Sequence, residues 1–126
     1  MRPVRLSAII ITKNEEENIV DCIRSAQLVS RDVIVVDCGS DDETVSLAAA
    51  NGARVFEIDW QGYGFSRNFG AARARHNWIF ALDADERITP EMAAAIKGIS
   101  LNAKDNVYRF KRVNYFGGNK IRFGTL

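Results

Sequence analysis

Asp83-Ala84-Asp85 places two carboxylates one residue apart, directly after the continuous apolar run Trp78-Ile79-Phe80-Ala81-Leu82. In an extended chain, side chains two apart leave the same face, so both carboxylates can reach one ligand. Carboxylates this close repel one another unless a proton or a cation lies between them. Their oxygens are the hard donors that Mg²⁺ or Mn²⁺ prefers, and such a metal keeps positions open for phosphate oxygens. The expected chemistry is a divalent-cation site with Asp85 and Asp83 as metal ligands, serving a phosphorylated molecule. A solvated acidic turn would have the same composition; what sets this pair apart is the buried run that aims it.

Two other segments carry residues suited to such a ligand. The stretch Asp37-Cys38-Gly39-Ser40-Asp41-Asp42-Glu43-Thr44 ends a β-branched run with an acid and a small turn. A carboxylate there can accept from a base N–H or a ribose hydroxyl, and Gly39 lets the backbone approach a ligand. The same stretch also reads as a plain strand-to-helix turn with a good cap. Arg67 and Asn68 follow the glycine-bearing loop Gln61-Gly62-Tyr63-Gly64, and the arginine fork suits planar recognition of phosphate. Arg73 and Arg75 read as a charged helix face. The single histidine, His76, has no serine or cysteine elbow nearby, so a nucleophilic triad is not supported. No G-x-G-x-x-G or P-loop pattern is present, which argues against a dinucleotide or ATP cradle.

The elements that would position these residues alternate strand and helix. Residues 6–11 form an Ile-rich run that passes through Thr12-Lys13-Asn14 into three glutamates. Asn14 and Glu17 have capping-box spacing, and Ile19, Cys22, Ile23 and Ala26 recur at helical intervals. Residues 32–37 form a second strand. Ser40 with Glu43 repeats the cap ahead of Val45, Ala48 and Ala49, and Asn51-Gly52 is the stop. Residues 53–58 predict a third strand, followed by a helix with Phe65, Phe69 and Ala72 on one face. Residues 78–82, apolar throughout, predict a strand in the middle of the sheet. Thr89-Pro90-Glu91 starts a helix whose buried stripe is Met92, Ile96 and Ile99. Residues 107–113 alternate apolar with basic residues, as a strand with one wet face would. The fold class expected is α/β, a mostly parallel sheet flanked by helices, with ligands beyond the carboxyl ends of the strands. Residues 12–15, 37–42 and 83–86 then converge on one rim.

Composition bounds the reading. The chain has 126 residues, 47% hydrophobic and 26% charged, which suits one folded domain spanning 1–126. A net charge of +1 lends no support to nucleic acid as a partner. Cys22 and Cys38 read as reduced thiols, and no apolar run approaches the roughly 20 residues of a membrane span. The expected location is cytoplasmic, with peripheral association at the inner face of a bacterial plasma membrane compatible with it.

Taken in order, Thr12-Lys13-Asn14-Glu15, Asp37-Cys38-Gly39-Ser40, Arg67-Asn68 and Asp83-Ala84-Asp85 resemble the donor domain of glycosyltransferase family 2, of the Rossmann-like GT-A fold. Within that family, the stretches 11–16, 81–86 and 114–118 are similar to those of bacterial lipopolysaccharide core biosynthesis glucosyltransferases. The resemblance implies a nucleotide-diphospho-sugar donor, a UDP-sugar, and inverting transfer to a glycan or lipid-linked glycan acceptor. It implies that Thr12 and Glu15 flank the nucleotide, Asp37 contacts the uracil or its ribose, and Arg67 with Asn68 lies near the diphosphate. Asp83 would approach the ribose or sugar, Ala84 would belong to the same donor site, and Asp85 would ligate Mg²⁺ or Mn²⁺. Two departures stand out. Cys38 replaces a second acid found in many relatives. Family members also continue past the point where this chain stops, so the resemblance places the acceptor side and the catalytic base outside it, and the catalytic residue is unassigned.

Two other readings compete with an active transferase. One is a truncated module that holds a nucleotide sugar without transferring it. The other is a phosphoacceptor signalling domain, which needs an acidic pair just after the first strand, where Thr12-Lys13-Asn14 stands. Truncation predicts an exposed apolar surface or sheet edge around residues 114–126 and hence self-association.

Overall fold

The computed structural model describes residues 5–98. Four apolar runs become parallel strands: β1 (Leu6–Thr12), β2 (Asp32–Asp37), β3 (Arg54–Glu57) and β4 (Trp78–Asp83). Between and after them lie α1 (Ile19–Ala26), α2 (Thr44–Ala50), α3 (Tyr63–Arg73) and α4 (Pro90–Lys97). Parallel neighbours require a crossover, which each helix between strands supplies. The strand order is β3-β2-β1-β4, so the direction of winding reverses beside β1. Thr12 pairs with Asp37 and Ile11 with Asp83, so β1, β2 and β4 end together on one rim.

Both faces of the sheet are covered, and the period-two alternation of the strands sorts their side chains between two cores. Leu6, Ala8 and Ile10 join Val33, Val35, Trp78, Phe80 and Leu82 on the face covered by α1, Ala48 of α2 and Ala93 and Ile96 of α4. Ile9, Ile34, Val36 and Ile79 face the other way, against Phe69 and Ala71 of α3. The expected buried stripe of α1, Ile19, Cys22, Ile23 and Ala26, is wholly inside.

Four expectations change. Residues 78–82 were expected mid-sheet; among the described residues β4 pairs with β1 alone, and its apolar side chains are divided between the two cores. Of the expected face of α3, Phe69 packs against the sheet, but Phe65 and Ala72 are exposed. Ser66 and Gly70 are buried there, and a Cβ on Gly70 would stand 2.9 Å from Ile9 Cγ2. Small residues let this helix lie close on the sheet. In α2 the buried positions are Thr44 and Ala48, with Ala49 exposed. Neither capping box forms: α1 begins at Ile19 and α2 at Thr44, while Asn14 and Ser40 bond across to the neighbouring loop instead. Thr89, by contrast, caps α4 as expected, its hydroxyl oxygen accepting from the Met92 amide at 3.1 Å. The expected positions Ile99, 107–113 and 114–126 lie outside the described residues.

At the opposite end of the strands, Asp32 anchors a buried ionic network. Its Oδ1 accepts from Arg54 Nε and Nη2 at 3.0 and 2.8 Å, and its Oδ2 from Ser7 Oγ and the Arg75 amide at 2.6 and 2.9 Å. Burial pushes the Asp32 carboxyl up, but the bonds from Ser7, Arg75 and Arg54 outweigh it and hold the group below the ordinary carboxylate range.

Candidate functional site

The rim where β1, β2 and β4 end is held by hydrogen bonds between loops. Asn14 takes a left-handed backbone, φ 54°, which asparagine tolerates better than most residues. Its amide donates to Ser40 Oγ at 2.7 Å, and its Oδ1 accepts from the Asp41 amide at 2.7 Å. The Glu15 amide donates to Thr44 Oγ1 at 2.8 Å, and the Glu43 amide to Glu16 Oε2 at 3.1 Å. The residues read from sequence as two helix caps therefore lace the β1–α1 loop to the β2–α2 loop. That fixes the floor of the rim.

Asp37 is the centre of the lacing. It is fully buried, and its Oδ1 accepts from Thr12 Oγ1 at 2.7 Å and Ser40 Oγ at 2.5 Å. Its Oδ2 accepts from the amides of Gly39 and Ser40 at 3.2 and 2.9 Å. A carboxylate offers about four acceptor positions, and the protein itself fills as many. Gly39, at φ +95°, makes the turn that brings these amides round. Asp37 thus acts as a structural hub, and the direct base or ribose contact expected of it does not match its position.

The acidic motif is a turn and not an extended segment. β4 ends at Asp83, and the Glu86 amide donates to Asp83 O at 2.9 Å. Buried Glu86 accepts from the Asp83 amide through Oε1 at 2.7 Å. Arg87 grips the same turn from outside, Nη1 donating to the carbonyls of Ala84 and Glu86 at 2.9 and 2.8 Å and Nη2 to Asn18 Oδ1 at 3.2 Å. The expectation that Asp83 and Asp85 share a strand face is corrected, yet the turn still brings both to one cleft.

That cleft, about 490 Å³, opens at the carboxyl ends of the strands. Thr12, Lys13 and Glu15 line it from β1, Cys38 from β2, and Asp83, Ala84 and Asp85 from β4. Trp60, between β3 and α3, and Tyr63, the first residue of α3, close it. Partial burial, and then the charge of nearby Asp85, raise the Glu15 carboxyl above its ordinary value. The cleft therefore carries a concentration of negative charge that a cation would relieve.

Of the expected site residues, Thr12, Glu15, Asp83, Ala84 and Asp85 come together in the cleft. Asp37 and Gly39 stand behind it as scaffold. Arg67 borders a separate small cavity with Ile9, Asp83 and Glu86, where its Nε is buried without a hydrogen-bond partner. Asn68 is exposed and does not line the cleft. Trp60 and Tyr63 were missed, although two aromatics flanking a glycine in a polar loop were a visible signal. Cys38, where an acid was noted as absent, is a cleft wall with its Sγ 3.6 Å from Ser66 Oγ.

Comparison with known proteins places this geometry in a family. The model of Glycosyl transferase family 2 matches residues 7–122. The chain is 36% identical over 122 residues to an uncharacterized glycosyltransferase of Rickettsia typhi, covering 94% of this chain and 42% of that protein. It is 34% identical over 102 residues to the lipopolysaccharide core biosynthesis glycosyltransferase LpsC of Rhizobium meliloti, covering 71% of this chain and 37% of that one. The chain thus spans less than half the length of these relatives. The fold is shared with Staphylococcus aureus TarS residues 1–349, at TM-score 0.64 and 23% identity over 73% of this chain and 31% of that one. It is similar also to glucosyl-3-phosphoglycerate synthase of Mycobacterium tuberculosis, solved with Mn²⁺, UDP and glucosyl-3-phosphoglycerate, at TM-score 0.57 and 26% identity over 65% of this chain and 35% of that one. The architecture is the Rossmann-like GT-A arrangement, and the chain belongs to glycosyl transferase family 2.

Proposed function

We propose that this chain is the donor-binding domain, residues 1–126, of a metal-dependent glycosyltransferase that takes a nucleotide-diphospho-sugar, a UDP-sugar, and transfers the sugar with inversion to a glycan acceptor. The observation that carries the reading is the cleft that gathers Thr12, Glu15, Asp83 and Asp85 at the carboxyl ends of the strands in a family 2 chain. The likeness to LpsC supports a role in lipopolysaccharide core or cell-surface polysaccharide synthesis, on a glycan or lipid-linked acceptor. No helix among the described residues is long and apolar enough to cross a membrane, and peripheral work at the cytoplasmic face accords with that.

The donor set fits Mg²⁺ or Mn²⁺. Among the described residues no three His, Cys, Asp or Glu side chains converge as a ready cage. A metal of this kind is bound by one or two carboxylates together with substrate phosphates, so Asp85 with Asp83 is the expected protein share. When bound, the cation neutralises charge on the departing nucleoside diphosphate. The chain's own residues do the rest. Asp85 and Asp83 orient the diphosphate end, Thr12 and Ala84 form walls close to the ribose, and Glu15 sets the local charge. Asp37 and Gly39 hold Thr12 and the β2–α2 turn in place. Arg67 and Asn68, on α3, take the diphosphate role only if their side chains turn from the positions described above.

Calorimetry against UDP, GDP and their sugars, with and without Mn²⁺, tests the reading. Tight binding of UDP that needs Mn²⁺ and is lost in Asp85→Ala is the expected result; binding unaffected by that change would remove the metal site. A second reading is that this chain holds the donor without transferring it. Sugar transfer by the pure chain would exclude that. The phosphoacceptor reading does not suit Asp37, which is buried with its oxygens already engaged.

A further inference from the structure

The cleft has two chemically different ends. Its carboxylates come from the β1 and β4 loops, whereas Trp60 and Tyr63 come from the segment that leaves β3 at the far edge of the sheet. With the order β3-β2-β1-β4, three inter-strand steps separate the exits of β3 and β4, roughly 14 Å. A nucleoside diphosphate has the same polarity, a charged diphosphate at one end and a planar ring at the other.

The aromatic end is built for a flat ligand. Trp60 and Tyr63 are 51% and 61% exposed, while the other large exposed hydrophobic side chains among the described residues, Leu28 and Phe65, do not line the cleft. Their rings meet edge to face, centroids 4.9 Å apart at 86°. In that arrangement the ring that offers its edge keeps both of its own faces clear of its partner. Gly62, at φ +96°, makes the turn between them, a conformation side chains rarely adopt. Asp37, the carboxylate expected to read the base, is buried and engaged by its own loops. Cys38, on the wall nearby, offers a weak donor only.

We propose that Trp60 and Tyr63 form the wall on which the donor's nucleobase stacks, and that this stacking, and not polar reading by Asp37, supplies the base's share of the affinity. The inference rests on the nucleotide-sugar reading of the cleft and deepens it. Because every base has a π face, the stack tolerates different bases.

The test uses the 126-residue chain with Mn²⁺ and four probes: UDP, GDP, UDP-glucose and inorganic pyrophosphate. Trp60→Ala weakens UDP and GDP alike by about 10-fold and leaves pyrophosphate unchanged, and Trp60→Phe restores most of the loss. The chain has two tryptophans, and Trp78 is buried, so UDP quenches wild-type fluorescence but not that of Trp60→Phe. Unchanged UDP affinity in Trp60→Ala overturns the stacking wall while leaving the nucleotide-sugar reading intact. A loss confined to UDP-glucose overturns it in favour of sugar stacking, and an equal loss for pyrophosphate shows a general change in the cleft and overturns it too. A wild-type chain that binds neither UDP nor GDP removes the nucleotide-sugar reading itself.

Discussion

Thr12 donates its hydroxyl to Asp37 Oδ1 at 2.7 Å between two residues that are register partners, so the last residues of the two central strands are locked together beneath the cleft. Thr12→Val, nearly the same shape, removes one donor and is expected to cost about 1 kcal/mol. Asp37→Ala strands the Thr12 and Ser40 hydroxyls and two amides, and the expected loss is about 3 kcal/mol or more. Urea denaturation of both variants checks the ranking; equal stability would mean that the hub is not structural.

Close approach of α3 to the sheet depends on Gly70 having no side chain. A Cβ there would lie 2.9 Å from Ile9 Cγ2 and 3.2 Å from Ile9 Cδ1 and Val36 Cγ2. Alanine gains about 1 kcal/mol of helix propensity, but overpacking a buried contact costs typically about 1–3 kcal/mol. Gly70→Ala is therefore expected to lower stability, and the penalty should shrink in an Ile9→Ala background. A double-mutant cycle by thermal unfolding measures that coupling.

The Asp32 network predicts an acid-sensitive fold. Its carboxyl is held below the ordinary range, so the folded state releases this proton more readily than the unfolded chain. The stability it contributes is present above the unfolded pKa, about 3.9, and is lost as pH falls through the lowered folded value. Arg54→Met removes the ion pair and two of the four bonds, so acid unfolding begins at higher pH. Denaturation midpoints between pH 2 and 6 would show the difference; superimposable curves would deny it.

Arg87 ties the acidic turn to α1 without lining the cleft. Residues that orient metal ligands typically change affinity about 10- to 100-fold when replaced. Arg87→Met is accordingly expected to weaken Mn²⁺ binding about 10-fold while the chain stays folded. Mn²⁺ titration followed by electron paramagnetic resonance, with circular dichroism as the control, separates the two effects. Loss of fold with loss of metal would leave Arg87 a stabilising residue only.

Much of the fold was legible from the sequence because it depends on local patterning. Residues 32–37 were bounded correctly, and the stripe of α1 and the Thr89-Pro90 start of α4 were read correctly, since hydrophobic period and cap chemistry are written within a few residues. The face of α3 was read correctly at Phe69 but missed Ser66 and Gly70, because its aromatics outweigh them in any hydrophobic count, whereas packing distance selects the small residues. The capping boxes were misread for a related reason. Asn14 and Ser40 had local partners at the right spacing, but the facing loop offered better ones.

The sequence by itself determined which residues end the strands and hence that Thr12, Glu15, Asp83 and Asp85 belong to one rim, because parallel strands of similar length place their ends together. It could not determine which acids face a ligand. Asp37 and Asp83 end β2 and β4, the strands on either side of β1, with the same side chain, yet one is drawn inward by four hydrogen bonds and the other is carried to the cleft by a turn that Glu86 and Arg87 hold. Most of those partners lie within three residues, but Thr12 on β1 and Asn18 ahead of α1 complete the two arrangements from far along the chain, and only the tertiary structure brings them in.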